Sequence, residues 1–238
     1  MARVKTIGSG SSGNAYILEC NNESLILECG VNWKEILKGL NYDLTNVQGC
    51  LVSHIHKDHS LSISNALKHA LSVYSCEEVE SNHPNVKTLQ KGKKTAIGGF
   101  VAQPIPLKHS VECYGFLIEH EEFGRLVFAT DCSSFPFRLK EINHFLIECN
   151  YSNDIIIDNL CNDELSRSMY ENHLEINDCI DALKRNYSAK LQNVVLLHLS
   201  SSNADPVEFR ERIREELCFN NVFVAQKGFE LELKKEDF

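Results

Sequence analysis

Four potential metal ligands stand within six positions of the chain, in the segment HIHKDH. His54 and His56 lie two residues apart, directly after the apolar run GCLVS, which has the character of a short buried strand. Alternate residues of an extended chain point the same way, so both imidazoles can reach one ion. Asp58 and His59 follow as the chain turns, and they offer an oxygen and a nitrogen to a second ion nearby. The segment therefore predicts a metal centre and not a polar surface loop.

Three further candidate ligands occur in similar settings. His109 follows PIPLK, Asp131 follows LVFAT, and His198 follows VVLL, so each stands where an apolar strand passes into a loop. Taken singly, a histidine after a strand is more often an ordinary loop residue. Together with HIHKDH, the three complete a set of nitrogen and oxygen ligands for two ions. Ligands without thiolate suit zinc or manganese, and the sequence does not choose between them.

Such a site is suited to hydrolysing a phosphodiester. Two ions about 3.5–4 Å apart can hold a hydroxide between them and neutralise phosphodiester oxygens during in-line attack. Asp58 is placed to accept a proton from the nucleophilic water. His173, in ENHLEINDC, can protonate the leaving oxygen, or it can cap a helix or contact a partner. The other histidines have no comparable context and are interpreted as ordinary: His69, His83, His120 and His144.

Strand-rich halves that each carry helices must position these residues, which indicates an α/β sandwich and not a strictly alternating parallel sheet. Asp205 can cap a helix that begins at Pro206, with Glu208 in its first turn. Strands are predicted in RVKTIG, NAYILEC and ESLILEC, and at Gly49–Ser53, Ala96–Ile105, Cys113–Glu119, Arg125–Thr130, Phe145–Glu148, Val194–Leu197 and Asn221–Ala225. Helices are predicted at Trp33–Leu40, Ser60–Val73, much of Asp154–Tyr187, and Pro206–Leu217.

A glycine-rich segment near the N-terminus imitates a dinucleotide-binding motif. Residues 8–13, GSGSSG, satisfy G-x-G-x-x-G, and Glu28 follows at about the distance expected of a ribose-binding acid. In a dinucleotide fold, a helix must begin at those glycines, whereas the strand-like NAYILEC follows here. The segment is therefore interpreted as a tight loop that borders the active site.

The motifs together resemble the metallo-β-lactamase superfamily, and their spacing is most similar to its phosphodiesterase branch, which includes RNase Z. GSGSSGN and LLHLSSSNADP resemble the YycJ-type proteins, in the neighbourhood of the phage anti-Pycsar phosphodiesterases. The resemblance covers nearly the whole chain and implies a single-domain αββα sandwich over residues 1–238. It implies that His54, His56 and His109 bind one ion, that Asp58, His59 and His198 bind the other, and that Asp131 bridges them.

Two positions depart from the family pattern. The family usually has Asp-x-Gly after its early hairpin, whereas this chain has Glu28-Cys29-Gly30, so a longer carboxylate must support the metal loop. RNase Z relatives carry a His-x-Ser/Thr motif that is thought to protonate the leaving oxygen. The corresponding segment here is His173-Leu174-Glu175, which matches that motif only in part.

Composition limits the partners of such an enzyme. The net charge is −9 and the longest basic run is KGKK, so a face that grips long nucleic acid is disfavoured. Ten cysteines are scattered without a Cys-x-x-Cys pair, which indicates structural thiols in a reducing cytoplasm. The chain shows no signal peptide and no membrane-length apolar run, so we expect a cytoplasmic protein, bacterial or phage-encoded, without a membrane partner. A homodimer is left open.

Three functions are compatible with such a site. No insertion between Asp131 and His198 is large enough for a clamp domain, which favours a small nucleotide substrate, above all a cyclic nucleotide. A 5′-to-3′ exonuclease acting on single-stranded DNA is the alternative. A metal-binding regulatory module without turnover is a third, but it would be expected to have lost a ligand, and none is missing. The sequence thus predicts a metal-dependent phosphodiesterase.

Overall fold

Two mixed β-sheets form the centre of the molecule in a computed structural model, which describes residues 1–158 and 169–235. The strands of the first sheet are β1 (Ala2–Gly8), β2 (Ala15–Cys20), β3 (Glu23–Leu27), β4 (Val47–Leu51), β5 (Val73–Ser75), β6 (Lys87–Thr88) and β14 (Glu230–Leu233), in the order β14-β1-β2-β3-β4-β5-β6. Those of the second are β7 (Thr95–Ile97), β8 (Phe100–Leu107), β9 (Cys113–His120), β10 (Gly124–Ala129), β11 (His144–Glu148), β12 (Asn193–Leu197) and β13 (Val222–Val224), in the order β13-β12-β11-β10-β9-β8-β7.

Alternation along the strands separates two hydrophobic layers. In β10 and β11, Leu126, Phe128 and Leu146 point into the core between the sheets, whereas Val127 and Phe145 point to the opposite face. Tyr16 of β2 meets Phe128 edge to face, with ring centroids 5.5 Å apart, so the two sheets are in direct contact. Because successive side chains of a strand point to opposite faces, both faces of the second sheet are buried.

Helices cover the outer faces. Trp33 and Ile36 of the first helix belong to the core of the first sheet, whereas Leu183 and Phe209 of the last two helices pack against the outer face of the second. The helices with full described bounds are α1 (Trp33–Gly39), α2 (Lys57–Ser60), α3 (Ile63–Lys68), α4 (Glu77–Asn82), α5 (Asn153–Asp158), α6 (Ile176–Asn186) and α7 (Pro206–Leu217). The resulting layers are those of an αββα sandwich, so the predicted fold class is confirmed.

Five strands end at the edge that carries the predicted ligands. In the second sheet, β8 and β10 are both antiparallel to β9, and β10, β11 and β12 run parallel to one another. The carboxyl ends of β8, β10, β11 and β12 therefore lie at one edge, and the loops that follow them hold three of the ligands. In the first sheet, β4 leads into HIHKDH. Strand direction alone brings distant parts of the sequence together here.

Several predicted elements have different boundaries. The expected strand Ala96–Ile105 is a hairpin of β7 and β8, because Gly98 takes a left-handed conformation with φ of 59°. The expected helix Ser60–Val73 is replaced by α2, α3 and the start of β5. The chain turns at Ser62, whose hydroxyl donates to the carbonyl of Val31 and whose amide donates to the carbonyl of Cys29.

The expected helix over much of Asp154–Tyr187 contains α5 and α6, and its residues 159–168 lie outside the described part of the chain. The start of α7 agrees with prediction: the Asp205 carboxylate accepts from the amides of Val207 and Glu208, and Pro206 takes the first helical position.

The cysteines are structural where they are described. All those in residues 1–158 and 169–235 are free thiols; eight are buried, and only Cys218 is exposed. Cys161 lies outside the described residues. Among the helices in the described part of the chain, none combines the length and hydropathy of a membrane-spanning segment.

Candidate metal centre

Three histidines converge at the edge of the sheets, just beyond β4 and β8. The Nδ1 atom of His56 lies 3.0 Å from Nε2 of His54 and 3.1 Å from Nε2 of His109. His54 is fully buried, and the other two are half-buried. We refer to His54, His56 and His109 as the three-histidine group. The sequence-predicted ligands of one ion are thus within reach of a single point.

A second group lies beside it and contains two carboxylates. The Nε2 atom of His59 is 3.3 Å from Oδ2 of Asp58 and 3.2 Å from Oδ1 of Asp131. The Nε2 atom of His198 is 3.4 Å from the same Asp58 oxygen and 3.8 Å from Oδ1 of Asp131. We refer to Asp58, His59, Asp131 and His198 as the carboxylate group. By these distances Asp131 falls in this group, and its bridging role stays a prediction.

The donor atoms fit divalent ions. Zinc holds nitrogen and oxygen ligands at about 2.0–2.2 Å in a tetrahedron, which separates two ligand atoms by about 3.3–3.6 Å. The distances in the two groups run from 3.0 to 3.8 Å and bracket that range. Moreover, Nδ1 of His56 faces two other ring nitrogens, and one proton can serve only one of these two contacts. A cation at the shared point satisfies all three nitrogens at once.

Polar partners fix the ligand rings from behind. The Ser53 hydroxyl lies 2.8 Å from Nδ1 of His54, and the carbonyl of Asn172 lies 3.1 Å from Nδ1 of His109. Glu28 is fully buried, accepts from the amide of Ser53, and places Oε2 3.5 Å from Nδ1 of His59. The longer carboxylate that replaces the family's aspartate therefore does reach the metal loop. These contacts hold Nε2 of His54 and His59 toward the site.

Glu148, the last residue of β11, links the carboxylate group to His173. Its Oε1 atom lies 2.7 Å from Nδ1 of His173 and 3.2 Å from Nδ1 of His198, while Oε2 accepts from the amides of Cys132 and Leu174. The rings of His173 and His198 stack with centroids 5.3 Å apart. The structure thus places His173 directly beside the predicted ligands, and the N-cap of α6 is Glu175.

The two groups differ in protonation. Burial, together with the neighbouring His59, holds the pKa of His54 well below its ordinary value of 6.5. Burial alone would also lower the pKa of His198, but Asp131 and the hydrogen bond to Asp58 raise it to about 10. Without an ion the carboxylate group therefore retains protons that metal binding must displace, whereas His54 is already neutral.

Left-handed backbone conformations aim three of these side chains into the site. Glu28, Asp131 and His198 each follow the end of a strand, and their φ angles are 67°, 50° and 52°. Residues other than glycine rarely adopt this conformation, which costs on the order of 1 kcal/mol or more. The left-handed backbone after β3, β10 and β12 reverses the course of the chain and turns each of these side chains back toward the sheet edge.

The glycine-rich loop at residues 8–13 packs on the metal loop, as the sequence predicted. Asn14 donates from its amide to the carbonyl of Asp58, and Gly30 donates to the carbonyl of Asn14. A Cβ atom at Gly30 would lie 1.6 Å from the carbonyl oxygen of Asp58, and one at Gly13 would lie 2.5 Å from the carbonyl oxygen of Gly30. Close backbone packing, and not nucleotide binding, explains these glycines.

Sequence reasoning missed the supporting residues, above all Glu148, Ser53 and Asn150. Asn150 donates to the carbonyl of His198 at 2.7 Å. Glu148 had one detectable signal: it is a charged residue that directly follows the apolar run FLI in a fully buried strand. A charge in that position requires partners, and the histidines supply them.

Comparison with known proteins gives the same fold and finds similar sequences among nucleases and anti-Pycsar proteins. The sequence model of the family described as Anti-Pycsar protein Apyc1 matches residues 7–67. Exodeoxyribonuclease WalJ of Streptococcus pneumoniae is 25% identical over 225 residues, which cover 84% of this chain and 82% of that protein. Anti-Pycsar protein Apyc1 of Paenibacillus xerothermodurans is 33% identical over 63 residues, which cover 24% of this chain and 25% of that protein.

Among solved structures, the metallo-β-lactamase fold protein YhfI from Bacillus subtilis superposes with a TM-score of 0.73 at 20% identity, covering 98% of this chain and 100% of YhfI. The fold, the two ligand groups and these relatives define a metal-dependent hydrolase. The fold and these relatives support the resemblance to the metallo-β-lactamase superfamily that the sequence motifs indicated.

Proposed function

We propose that this protein is a two-metal phosphodiesterase that hydrolyses a small nucleotide, with a cyclic nucleotide as the foremost candidate. The observation that carries the proposal is the pair of adjacent ligand groups with His173 beside them. In the proposal the three-histidine group holds one ion, Asp58, His59 and His198 hold the other, and Asp131 contacts both. Zinc or manganese, when bound, supplies Lewis acidity to the phosphodiester oxygens and to water.

In the proposal, Asp58 is the base that accepts a proton from the nucleophilic water. Its side chain is 25% exposed, so it is the ligand of the carboxylate group that solvent can reach. Burial alone would raise its pKa, but hydrogen bonds from His198 and His59 hold the pKa well below the ordinary value for an aspartate. The carboxylate is therefore ionised at neutral pH and able to orient water and accept a proton from it.

His173 is assigned the protonation of the leaving oxygen. Burial lowers its pKa, but Glu148 more than offsets this effect, so the pKa lies above 6.5. The imidazolium donates Nδ1–H to Glu148 and keeps Nε2–H available, while its side chain remains 23% exposed. A positioned acid of this kind is needed most where the leaving group is a sugar alkoxide.

The surface charge favours a small substrate. Lys91 and Lys94 of the KGKK run pair with Glu112 and Glu119, at 3.1 Å and 2.7 Å. Their charge is therefore largely compensated within the protein, in addition to the net charge of −9. Binding a long phosphate track requires unpaired cations, and each such contact releases counterions from the nucleic acid.

Exonucleolytic cleavage of single-stranded DNA is the second candidate. The similarity to Exodeoxyribonuclease WalJ extends over 84% of this chain, whereas the similarity to Anti-Pycsar protein Apyc1 covers 24% and is confined to a short N-terminal part. The two candidates share the metal site. They differ because single-stranded DNA needs cations beside the metal site for its further phosphates, whereas a cyclic mononucleotide does not.

One experiment separates them. The metal-loaded protein is incubated with 3′,5′-cyclic mononucleotides and, in parallel, with end-labelled single-stranded DNA, and products are resolved by chromatography. Conversion of a cyclic mononucleotide to the linear monophosphate supports the first candidate. Processive DNA shortening without cyclic-nucleotide turnover replaces it with the second.

The site itself is tested by Asp58→Ala and His59→Ala. Both variants should lose turnover and one of two bound ions while retaining the wild-type circular dichroism spectrum, because neither side chain belongs to the hydrophobic core. Wild-type rates in either variant would exclude the two-metal mechanism. Metal content is measured in the same samples by inductively coupled plasma mass spectrometry.

A further inference from the structure

The two ligand groups carry different charges although they lie side by side. The three-histidine group offers imidazole nitrogens alone, which carry no charge when they bind an ion, whereas Asp58 and Asp131 bring two carboxylates to the other group. Exposure differs in the same direction. In the three-histidine group only His54 is fully buried, whereas in the carboxylate group only Asp58 is partly exposed and His59, Asp131 and His198 are at most 3% exposed.

The residues behind the ligands widen this difference. In the three-histidine group, Nδ1 of His54 meets a hydroxyl at Ser53, and Nδ1 of His109 meets a backbone carbonyl. Both acceptors are neutral. In the carboxylate group, by contrast, Nδ1 of His59 faces the carboxylate of Glu28 and Nδ1 of His198 faces that of Glu148, and both acids are fully buried.

Charge therefore favours one position for a divalent ion. An ion that leaves water for a buried site loses hydration free energy, and only opposite charges nearby offset that loss. In the carboxylate group, two ligand carboxylates neutralise the ion, and two more act through the histidine rings. In the three-histidine group, the ion would share one carboxylate, that of Asp131, and would keep more of its charge.

We propose that the two positions fill in order: the carboxylate group binds the first ion tightly, and the three-histidine group binds the second ion more weakly. Glu28 and Glu148 are the positioning residues that create the difference. The inference rests on the two-metal site of the proposed function, but it does not depend on any substrate. It implies that the occupancy of the complete two-ion site is set by the weaker position.

Zinc titration of the metal-free wild-type protein tests the order. Crystals of the protein with one equivalent of zinc are measured at the zinc absorption edge. We expect the anomalous peak between Asp58, His59, Asp131 and His198, and a second peak only when zinc is in excess. A first peak among His54, His56 and His109, or two equal peaks at one equivalent, would overturn the proposal.

Two variants assign the steps of a calorimetric titration. Glu148→Gln preserves size but removes the charge behind His198, so the tight step should weaken by about 10–100-fold while the weak step changes less. Ser53→Ala should weaken the weak step more than the tight one, because its hydroxyl lies 2.8 Å from Nδ1 of His54 and 3.5 Å from Nδ1 of His59. A tight step that Glu148→Gln leaves unchanged, or that Ser53→Ala weakens more, contradicts the assignment.

Glu23→Gln is the matched control. Glu23 also accepts from a histidine, since its Oε1 lies 3.0 Å from Nε2 of His120, but it stands at the start of β3, away from the ligand groups. Neither step should change. If Glu148→Gln does not fold, Glu28→Gln removes the other buried charge, and the diffraction result on the wild type still decides. Ordered binding without phosphodiester turnover would retain this inference and remove only the proposed function.

Discussion

His173 and Glu148 form a hydrogen-bonded pair whose contribution depends on the leaving group. If His173 protonates the leaving oxygen, His173→Gln should slow the hydrolysis of a nucleotide phosphodiester by about 10²–10⁴-fold. The same variant should change the rate with bis(p-nitrophenyl) phosphate far less, because p-nitrophenolate leaves without a proton. Steady-state kinetics with both substrates measure the ratio.

The control for this prediction is His83→Gln, in a residue that lies at the end of α4 and outside both ligand groups. It should leave both rates unchanged. Equal losses with the two substrates in His173→Gln would mean that His173 supports the metal site and does not act as the acid. Metal content, measured on the same preparation, separates these outcomes.

His144 has a structural role, in agreement with its interpretation from sequence. It is fully buried at the start of β11, where Nε2 donates to the carbonyl of Lys234 and Nδ1 accepts from the Asn193 amide. Burial lowers its pKa to about 4, so the folded protein keeps it neutral while the unfolded chain binds a proton near pH 6.5.

Stability from His144 is therefore present above pH 6.5 and is lost as the pH falls toward 4. Between pH 7 and pH 5, this single group should lower the free energy of unfolding by about 2 kcal/mol. His144→Gln, which cannot titrate, should show a pH dependence that is smaller by that amount. Urea unfolding at both pH values measures it, and identical slopes in the two proteins would contradict the assignment.

At the scale of elements, the loop Glu28–Gly30 and helix α2 are joined by backbone contacts that leave no room for a side chain. Gly30→Ala would bring a Cβ atom to 1.6 Å from the carbonyl oxygen of Asp58, which is backbone and cannot rotate away. We expect this variant to displace α2 and to lose zinc binding, since Asp58 and His59 both lie on that helix.

Gly92→Ala is the appropriate comparison. Its Cβ atom would meet nothing within 4 Å, although the φ of 73° adds strain on the order of 1 kcal/mol. This variant should lower the melting temperature slightly and bind zinc normally. Full zinc binding by Gly30→Ala would show that the metal loop can move away from β3 at little cost.

The sequence predicted those elements in which local pattern and packing agree. Alternating or continuous apolar runs gave most of the second sheet, and the Asp205 cap gave the start of α7. The prediction failed where the chain reverses direction inside a continuous strand-like run of residues, as at Gly98 between β7 and β8. It also missed β14, because the alternating residues of ELEL pair with β1 only after the chain returns from the far end of the fold.

The candidate site shows the same division. HIHKDH is a local pattern, and the ligands at His109, Asp131 and His198 were predictable because each follows an apolar strand. Glu148 and Asn172 act through contacts across 25 or more positions, and Ser53 acts through a hydroxyl that is common in loops, so no local spacing marks them. Their roles became visible only once strand directions placed the ends of β4, β8, β10, β11 and β12 together.

At the scale of the whole molecule, charge sets the length of substrate that the site can hold. The protein carries a net charge of −9, and Lys91, Lys94, Lys184 and Lys190 each pair with a glutamate within 3.1 Å. A long nucleic acid would therefore approach a surface of its own sign. A cyclic mononucleotide has one phosphate, which two bound ions would neutralise without further cations.

Salt dependence follows from this difference. Each phosphate neutralised on a single strand contributes about −0.7 to the slope of log affinity against log salt concentration. A nuclease that binds several phosphates therefore loses affinity steeply as the salt concentration rises. With a cyclic mononucleotide, kcat/KM should fall by no more than a few fold between 50 mM and 200 mM salt, since about one phosphate is involved. The measurement is kcat/KM for the cyclic nucleotide and for labelled single-stranded DNA over that range. Fast DNA cleavage with a salt slope that corresponds to several phosphates would contradict this prediction. It would mean that unpaired cations line the substrate path despite the acidic net charge, and exonuclease activity would then be the better assignment.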